Sequence, residues 1–339
     1  MTTRVGINGF GRVGRSAFRS AYESGAPIEW AAINDIADIA TLAHLLRHDT
    51  VYGPFPGDIR VEEDAIVVDG TRIPVFAETS PDAIPWADVS AEVVLECTGR
   101  FRTRAEAAGH LEAGAHKVIV SAPCKDVDAT LVLGVNSATY DPAEHDIVSN
   151  ASCTTNCLAP VAKVLHESLG IRHGVMTTIH AYTGDQRLVD LPHKDLRRAR
   201  AAAANIVPTS TGAAKAIGLV IPELQGKLQG FAARIPVLTG SLVDLTVEVE
   251  RPTTVAEVNG LFARASAGDL AGILSYSEEP LVSSDVIKSP FSAVFDAGLT
   301  IVTGGTQVKV VAWYDNEWGY STRLVELAQR VHVPVAMAV

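Results

Sequence analysis

Short apolar runs closed by glycine or polar residues recur through the first half of the chain, at residues 4–8, 28–33, 91–95, 117–120 and 146–148. Runs of that length without polar alternation predict strands covered on both faces. Residues 13–23 and 104–113 instead carry apolar side chains at helical spacing. Strands alternating with helices predict a parallel, doubly wound sheet.

After Asn150 the pattern changes. Leu158, Val161, Ala162, Leu165 and Leu169 recur at helical spacing, which predicts a helix over 154–169 that stops at Gly170 and kinks at Pro160. Polar and apolar residues then roughly alternate at 174–180, 230–235, 241–250 and 307–314, the pattern of an antiparallel sheet with one covered face. An amphipathic helix over 320–331 follows. No internal repeat or low-complexity segment interrupts the sequence.

At 339 residues the chain exceeds one ordinary core, so two domains are expected. The fold class is α/β: a Rossmann-type doubly wound parallel sheet with a second α+β catalytic domain built on a mixed or antiparallel sheet. Hydrophobic residues at 47% and charged residues at 20% are globular proportions and argue against a disordered or fibrous chain. A formal charge of -11 argues against generic binding to a nucleic-acid backbone, which needs a basic surface. No run approaches the roughly 18 apolar residues of a membrane helix. Cys97, Cys124, Cys153 and Cys157 form no metal-type pairs, and the chain opens on polar MTTR, so no metal and a reducing cytoplasm are expected.

Gly9, Gly11 and Gly14 form a G-x-G-x-x-G after the first strand and at the opening of a helix. There, glycines let the backbone approach a pyrophosphate at the helix N-terminus. The triplet alone also fits an ordinary glycine turn, and its position is what gives it weight. Asp35 closes the second strand at about the spacing of a carboxylate that bonds both ribose hydroxyls. Such a carboxylate repels a 2′-phosphate, and no Arg or Lys lies in residues 36–39, which favours NAD over NADP.

Cys153 stands at the predicted start of a helix, where the dipole and free N–H groups favour thiolate over thiol. Cys157 falls inside that helix and reads as a small core residue. His180 ends an apolar run and precedes the polar loop Ala-Tyr-Thr-Gly-Asp-Gln-Arg, a place where an imidazole can face a cleft. From spacing alone a satisfied core histidine is the commoner reading.

Five segments together carry a resemblance: GINGFGRVGR, CTGRFRTRAEAAGHLEAGAHKVIVSAP, SNASCTTNCLAP, DLPHKDLRRARAAAANIVPTSTGAAKAIG and WYDNEWGYS. In this order the chain resembles the phosphorylating, NAD-dependent glyceraldehyde-3-phosphate dehydrogenases along almost its whole length. The resemblance implies an NAD-binding Rossmann domain over 1–151, a catalytic domain over 152–316, a C-terminal helix over 317–339 returning to the first domain, and a homotetramer. Carried over, Cys153 is the nucleophile and His180 the base and later acid. Ser152, Thr154, Thr183, Arg198, Thr211, Gly212 and Arg234 hold the substrate phosphate and inorganic phosphate. Gly9, Phe10, Gly11, Arg12, Val13, Asp35, Thr79, Ser121 and Asn316 contact NAD, the last at the nicotinamide amide. Leu191 and Pro192 resemble the NAD-type version of the loop near the adenosine ribose.

The implied reaction takes glyceraldehyde 3-phosphate through a Cys153 thioester to an acyl phosphate in the cytoplasm, with no membrane or nucleic acid required. The oxyanion is expected on the Cys153 N–H and His180. Departures from the family pattern stand at Thr79, Cys124, Gly184, 237–241 and 286–290, and none removes a catalytic group. The same thioester chemistry serves a longer phosphorylated aldose such as erythrose 4-phosphate. A dinucleotide-fold binding protein that had lost catalysis is the reading from another class, and the intact Cys153 and His180 pair argues against it.

Overall fold

The computed structural model describes residues 2–331, and they form two compact units. One takes the chain up to Leu131, residues 138–151 and the residues from Ser321 on; the other takes Val132–Ser137 and Ser152–Tyr320.

The first unit is built on a nine-stranded sheet. From one edge its strands run Ala129–Thr130, Ile147–Ser149, Lys117–Val120, Val93–Glu96, Thr3–Asn8, Ile28–Asn34 and Thr71–Phe76, each parallel to its neighbour. Ala65–Val68 and Ile59–Val61 extend the far edge antiparallel. Val5, Ile7, Ile33, Val94, Leu95 and Ile119 are fully buried, as strands covered on both faces require. The chain turns back on itself at Thr3–Asn8, which lies between Ile28–Asn34 and Val93–Glu96. That is the switch point where a doubly wound sheet opens a crevice at the carboxyl ends of its strands.

The strand expected at 91–95 is displaced to Val93–Glu96. The single helix expected over 104–113 is interrupted at Ala108, giving the turns Arg104–Ala107 and Gly109–Glu112. Gly109 presses against a neighbouring backbone there: a Cβ on it would lie 3.0 Å from Asp82 N. The helix Ile39–Arg47 and the antiparallel edge strands are additional to the sequence expectation.

In the second unit an eight-stranded sheet runs Val207–Ser210, Leu228–Ile235, Ile171–Ala181, Ser241–Val249, Gln307–Tyr314, Ala293–Asp296 and Leu274–Ser277, with Ile301–Thr303 beside Gln307–Tyr314. Two pairings are parallel, Ile171–Ala181 with Leu228–Ile235 and Leu274–Ser277 with Ala293–Asp296, so the sheet is mixed. Buried and half-buried residues alternate strictly along Ser241–Val249, so one face is covered. The helix Cys153–Leu169 packs on that sheet and continues through Pro160. Ala213–Val220 and Val255–Ala267 flank it. The last described helix is Trp318–Val331; the part of the C-terminal expectation that covers 332–339 lies outside the described residues.

Candidate active site

The helix Cys153–Leu169 begins on a constrained turn. Ala151 is buried and takes φ +54°, in the left-handed region that non-glycine residues seldom adopt. Ser152 caps the helix, its hydroxyl accepting from the Thr155 N–H at 3.1 Å. Cys153 is therefore the first helical residue, where unpaired backbone N–H groups and the dipole favour a negative sulfur.

His180 comes from a different element. It lies near the end of the strand Ile171–Ala181, and in the parallel pairing with Leu228–Ile235 its register partner is Arg234. Register partners put their side chains on one face of a sheet. Accordingly, Cys153 Sγ lies 3.4 Å from His180 Nε2, while Arg234 Nη1 lies 2.7 Å from His180 Nδ1. Burial, followed by the Arg234 charge, holds the His180 imidazole down at about 3. Burial pushes the Cys153 thiol up, and the Arg234 charge and hydrogen bonds from Thr154 pull it back. Both shifts favour the uncharged forms of the pair, against the thiolate expected from the helix start alone. Cys157 is fully buried, and burial holds its thiol well above the ordinary value.

The remaining anion-binding candidates lie in the same unit. Arg198 donates to the Thr209 hydroxyl at 2.8 Å and to the Asp185 carboxylate, which also accepts from the Thr183 hydroxyl. Thr211 and Gly212 precede the helix Ala213–Val220; the Thr211 hydroxyl accepts from the Ala213 N–H at 3.2 Å, and the space beside the Gly212 Cα is open. Arg234 keeps a buried Nε with no hydrogen-bond partner among the described residues. A guanidinium N–H in that condition calls for an anion. Thr154 differs from this group: it is buried, and its hydroxyl is 2.9 Å from that of Tyr314. Both its side chain and its backbone also bond the Cys153 sulfur at the helix start.

In the first unit, the carboxyl ends of the strands open onto a cavity of about 220 Å³ lined by Asn8, Gly9, Gly11, Asp35, Thr79 and Thr98, among others. It suits a dinucleotide. Gly9 has φ +91°, a Cβ on Gly14 would lie 2.3 Å from Gly9 O, and nothing stands within 4 Å of where a Gly11 side chain would be. The first two observations explain the tight turn, and the third leaves backbone exposed for a pyrophosphate. Gly11 caps the helix Arg12–Ser24 with no side-chain hydrogen bond, the kind of helix start that can receive an anion. The Arg12 guanidinium itself is engaged by Asp49. Asp35 accepts from the Phe10 N–H at 2.7 Å and the Ala37 N–H at 3.0 Å, which ties the glycine turn to the end of the second strand. Ser121 follows the strand Lys117–Val120, its N–H donating to Glu96 O at 2.9 Å.

Comparison with known proteins agrees with both halves. Residues 3–104 match the family described as glyceraldehyde 3-phosphate dehydrogenase, NAD binding domain, and residues 152–316 the one described as glyceraldehyde 3-phosphate dehydrogenase, C-terminal domain. Over 328 residues the chain is 59% identical to glyceraldehyde-3-phosphate dehydrogenase 1 of Streptomyces avermitilis, covering 97% of this chain and 98% of that one. It is 57% identical over 337 residues to glyceraldehyde-3-phosphate dehydrogenase of Mycobacterium avium, covering 98% and 99%. For the protein of that name from Geobacillus stearothermophilus, identity is 56% over 328 residues, covering 97% and 98%. The chain belongs to the glyceraldehyde-3-phosphate dehydrogenase family.

Within that family frame, three supporting residues emerge that sequence patterns did not single out. Tyr314 meets the His180 ring edge-on at 5.9 Å between centroids and bonds the Thr154 and Thr178 hydroxyls. Asp185 joins Thr183 to Arg198. Ser241 accepts from the Ala181 N–H at 3.0 Å and donates to Asn316 Oδ1 at 2.8 Å. Asn316 Oδ1 accepts from the Thr239 hydroxyl as well, at 3.3 Å. Tyr314 carried a signal in WYDNEWGYS; Asp185 and Ser241 are polar residues in unremarkable settings.

Proposed function

We propose that this chain oxidises glyceraldehyde 3-phosphate to 1,3-bisphosphoglycerate, with NAD as oxidant and inorganic phosphate as acyl acceptor. The observation that carries the reading is Cys153 Sγ at 3.4 Å from His180 Nε2, with the Arg234 guanidinium on the other ring nitrogen.

Cys153 sulfur passes its proton to His180 and adds to the aldehyde carbon, and the imidazolium returns that proton to the new alkoxide, giving a hemithioacetal. The Cys153 N–H and His180 hold the oxygen as charge develops on it. His180 then takes the hydroxyl proton back as the carbon loses hydride, leaving a thioester. NAD, when bound, supplies the hydride acceptor. Gly9, Phe10, Gly11, Arg12, Val13, Asp35, Thr79 and Ser121 hold it, with Asn316 on the nicotinamide carboxamide. Ser152, Thr154, Thr183, Arg198, Thr211, Gly212 and Arg234 hold the substrate phosphate and inorganic phosphate between them, and the inorganic phosphate attacks the thioester carbon and expels the Cys153 thiolate, releasing the acyl phosphate. The dianionic phosphates of substrate and acceptor match two guanidinium groups and several small hydroxyls.

The working form is a homotetramer in the cytoplasm. Supporting this, Leu188 and Leu196 are 83% and 81% exposed, in a stretch that also exposes Val189, Leu191 and Ile206. Apolar surface so concentrated marks a protein interface. No described helix is long and apolar enough to cross a membrane.

A steady-state assay with glyceraldehyde 3-phosphate, comparing NAD with NADP and phosphate with none, tests the reading. NADH formation that needs phosphate and prefers NAD is expected. Turnover of erythrose 4-phosphate exceeding that of glyceraldehyde 3-phosphate would overturn the substrate assignment.

A further inference from the structure

Beneath the cavity of the first unit lies a buried chain of hydrogen bonds to which no role is yet attached. Trp86 Nε1 donates to His110 Nδ1 at 3.0 Å, and His110 Nε2 lies 3.0 Å from Glu96 Oε2. Asn8 Nδ2 donates to the same oxygen at 2.6 Å. Asn34 Nδ2 in turn donates to Asn8 Oδ1 at 2.8 Å and to Glu78 O at 2.9 Å, while Glu78 N donates to Asn34 Oδ1 at 2.8 Å. The other Glu96 oxygen accepts from the Thr98 N–H at 2.8 Å and from the Thr98 hydroxyl, which accepts from the Arg100 N–H at 3.1 Å. Trp86, His110, Glu96, Asn8 and Asn34 are all at most 2% exposed.

Every donor and acceptor in this chain is decided by its two ends. An indole N–H only donates, so His110 Nδ1 carries no proton and Nε2 donates to Glu96. At the far end the Glu78 peptide offers one donor and one acceptor, which fixes the Asn34 amide and through it the Asn8 amide. Four donors therefore converge on Glu96, and only a carboxylate accepts them all. Burying such a group without a paired cation is costly, so a chain of this kind is maintained for what it holds in place. It holds Asn8, Asn34, Glu78, Thr98 and Arg100, all of which line the cavity.

We propose that Glu96 and His110 are positioning residues of the dinucleotide pocket, with Glu96 as the hub that fixes two opposite stretches of its wall, Glu78–Ser80 and Thr98–Arg100. This rests on the reading of that cavity as the NAD site, and binding of NAD and ADP-ribose to the unaltered protein checks that reading separately.

A glutamine at position 96 has one acceptor oxygen, so whichever way it turns an amide NH₂ faces existing donors. The expected signature of Glu96→Gln is a rise on the order of tenfold in Kd for both NAD and ADP-ribose by calorimetry. The KM for NAD should rise with it, while kcat at saturating NAD and the rate of Cys153 alkylation hold. His110→Leu, at the other end of the chain and outside the cavity lining, should give the same signature and serves alone if the first variant does not fold. Combined, the two should lose less affinity than the product of their separate effects, because both break one chain. Affinities within twofold of the unaltered protein in a folded variant, or losses that simply multiply, would overturn the proposal.

Discussion

Nη1 of Arg234 lies 2.7 Å from His180 Nδ1 and 3.1 Å from the Ala181 carbonyl, and that carbonyl is itself 2.7 Å from Nδ1. A guanidinium only donates and a carbonyl only accepts, so Nδ1 serves one of them at a time. With its proton on Nδ1 the ring donates to Ala181 and presents the Nε2 lone pair to Cys153, the form a base needs. With the proton on Nε2, the ring accepts from Arg234.

Arg234→Leu should have two separable effects. The KM for glyceraldehyde 3-phosphate should rise through loss of a phosphate donor. Alkylation of Cys153 by iodoacetamide at pH 8 should also slow in the absence of substrate, since the Arg234 charge is what most lowers the thiol from the value that burial imposes. An unchanged alkylation rate would show that Arg234 acts on substrate alone.

Replacing the nucleophile gives a sharper result. Cys153→Ser should abolish dehydrogenase activity while NAD still binds, because an alcohol supplies no thiolate at neutral pH. Cys157→Ser should be far milder in turnover, because that sulfur is buried and reaches only the Ala312 carbonyl, at 3.7 Å. His180→Asn should lower kcat roughly 10²–10⁴-fold, the ordinary worth of a positioned acid and base. It should slow alkylation too. Near-normal turnover in the Cys153 variant would remove the thioester mechanism.

Burial of His180 also couples to stability. Its imidazole sits at about 3 in the folded chain against an ordinary value of 6.5, so folding favours the neutral ring. That contribution is complete above about pH 6.5 and is lost as pH falls toward about 3, because over this window the unfolded chain binds a proton that the folded chain refuses. Stability from this group should therefore rise with pH by at most about 1.4 kcal/mol per unit. Thermal midpoints of the unaltered protein and of His180→Asn, measured from pH 7 to pH 4.5, should show the unaltered protein losing stability faster on acidification. Parallel curves would mean that the ring is free to charge in place.

The sequence made some of this legible and concealed the rest for definable reasons. The strand, glycine turn and helix that open the first unit were readable because an unbroken apolar run and three glycines are local signals. The helix start at Cys153 was readable for the same reason, from the apolar spacing behind it, whereas Ser152 as its cap was not. The antiparallel edge around Ala65–Val68 gave little signal, being short and joined to a strand that contains Pro74. The placement of Arg234 against His180 depends on the register of two strands far apart in the sequence. Periodicity says which face a residue takes on its own strand and nothing about its partner. Glu96 was hidden differently, because one acid ending an apolar strand looks like any solvated strand terminus until His110, Asn8 and Thr98 are seen converging on it.

Cofactor choice can be divided between charge and shape at Asp35. One oxygen accepts from the Phe10 N–H and the other from the Ala37 N–H, so the carboxylate also braces the glycine turn. Asp35→Asn keeps an oxygen for Phe10 and removes the charge; it should keep NAD affinity within a few-fold and relax the preference over NADP. Asp35→Gly removes the brace as well and should weaken NAD further. If kcat/KM values show Asp35→Asn discriminating as fully as the unaltered protein, repulsion of a 2′-phosphate is not what selects NAD.

The identity of the acyl acceptor is the most exacting question, because water and phosphate would both release a Cys153 thioester. Beside His180 the second unit places Arg234 with its unpartnered buried Nε, and the same unit carries Arg198 and the start of the helix Ala213–Val220 behind Thr211 and Gly212. Those donors exceed what one substrate phosphate requires, and the proposed acceptor phosphate would use the surplus. Without phosphate, NADH should appear as a burst of at most about one equivalent per active subunit, followed by very slow turnover as the acyl-enzyme waits. Phosphate should restore steady turnover, and arsenate should substitute by forming an acyl arsenate that hydrolyses on its own. Thr211→Ala should raise the phosphate concentration needed for half-maximal rate with little change in the KM for the aldehyde, the reverse of Arg234→Leu. Asp185→Asn should behave like Thr211→Ala if Arg198 serves the acceptor, since that carboxylate holds Arg198 and Thr183 together. Steady NADH production at an equal rate with neither phosphate nor arsenate present would make water the acceptor and end the phosphorylating assignment.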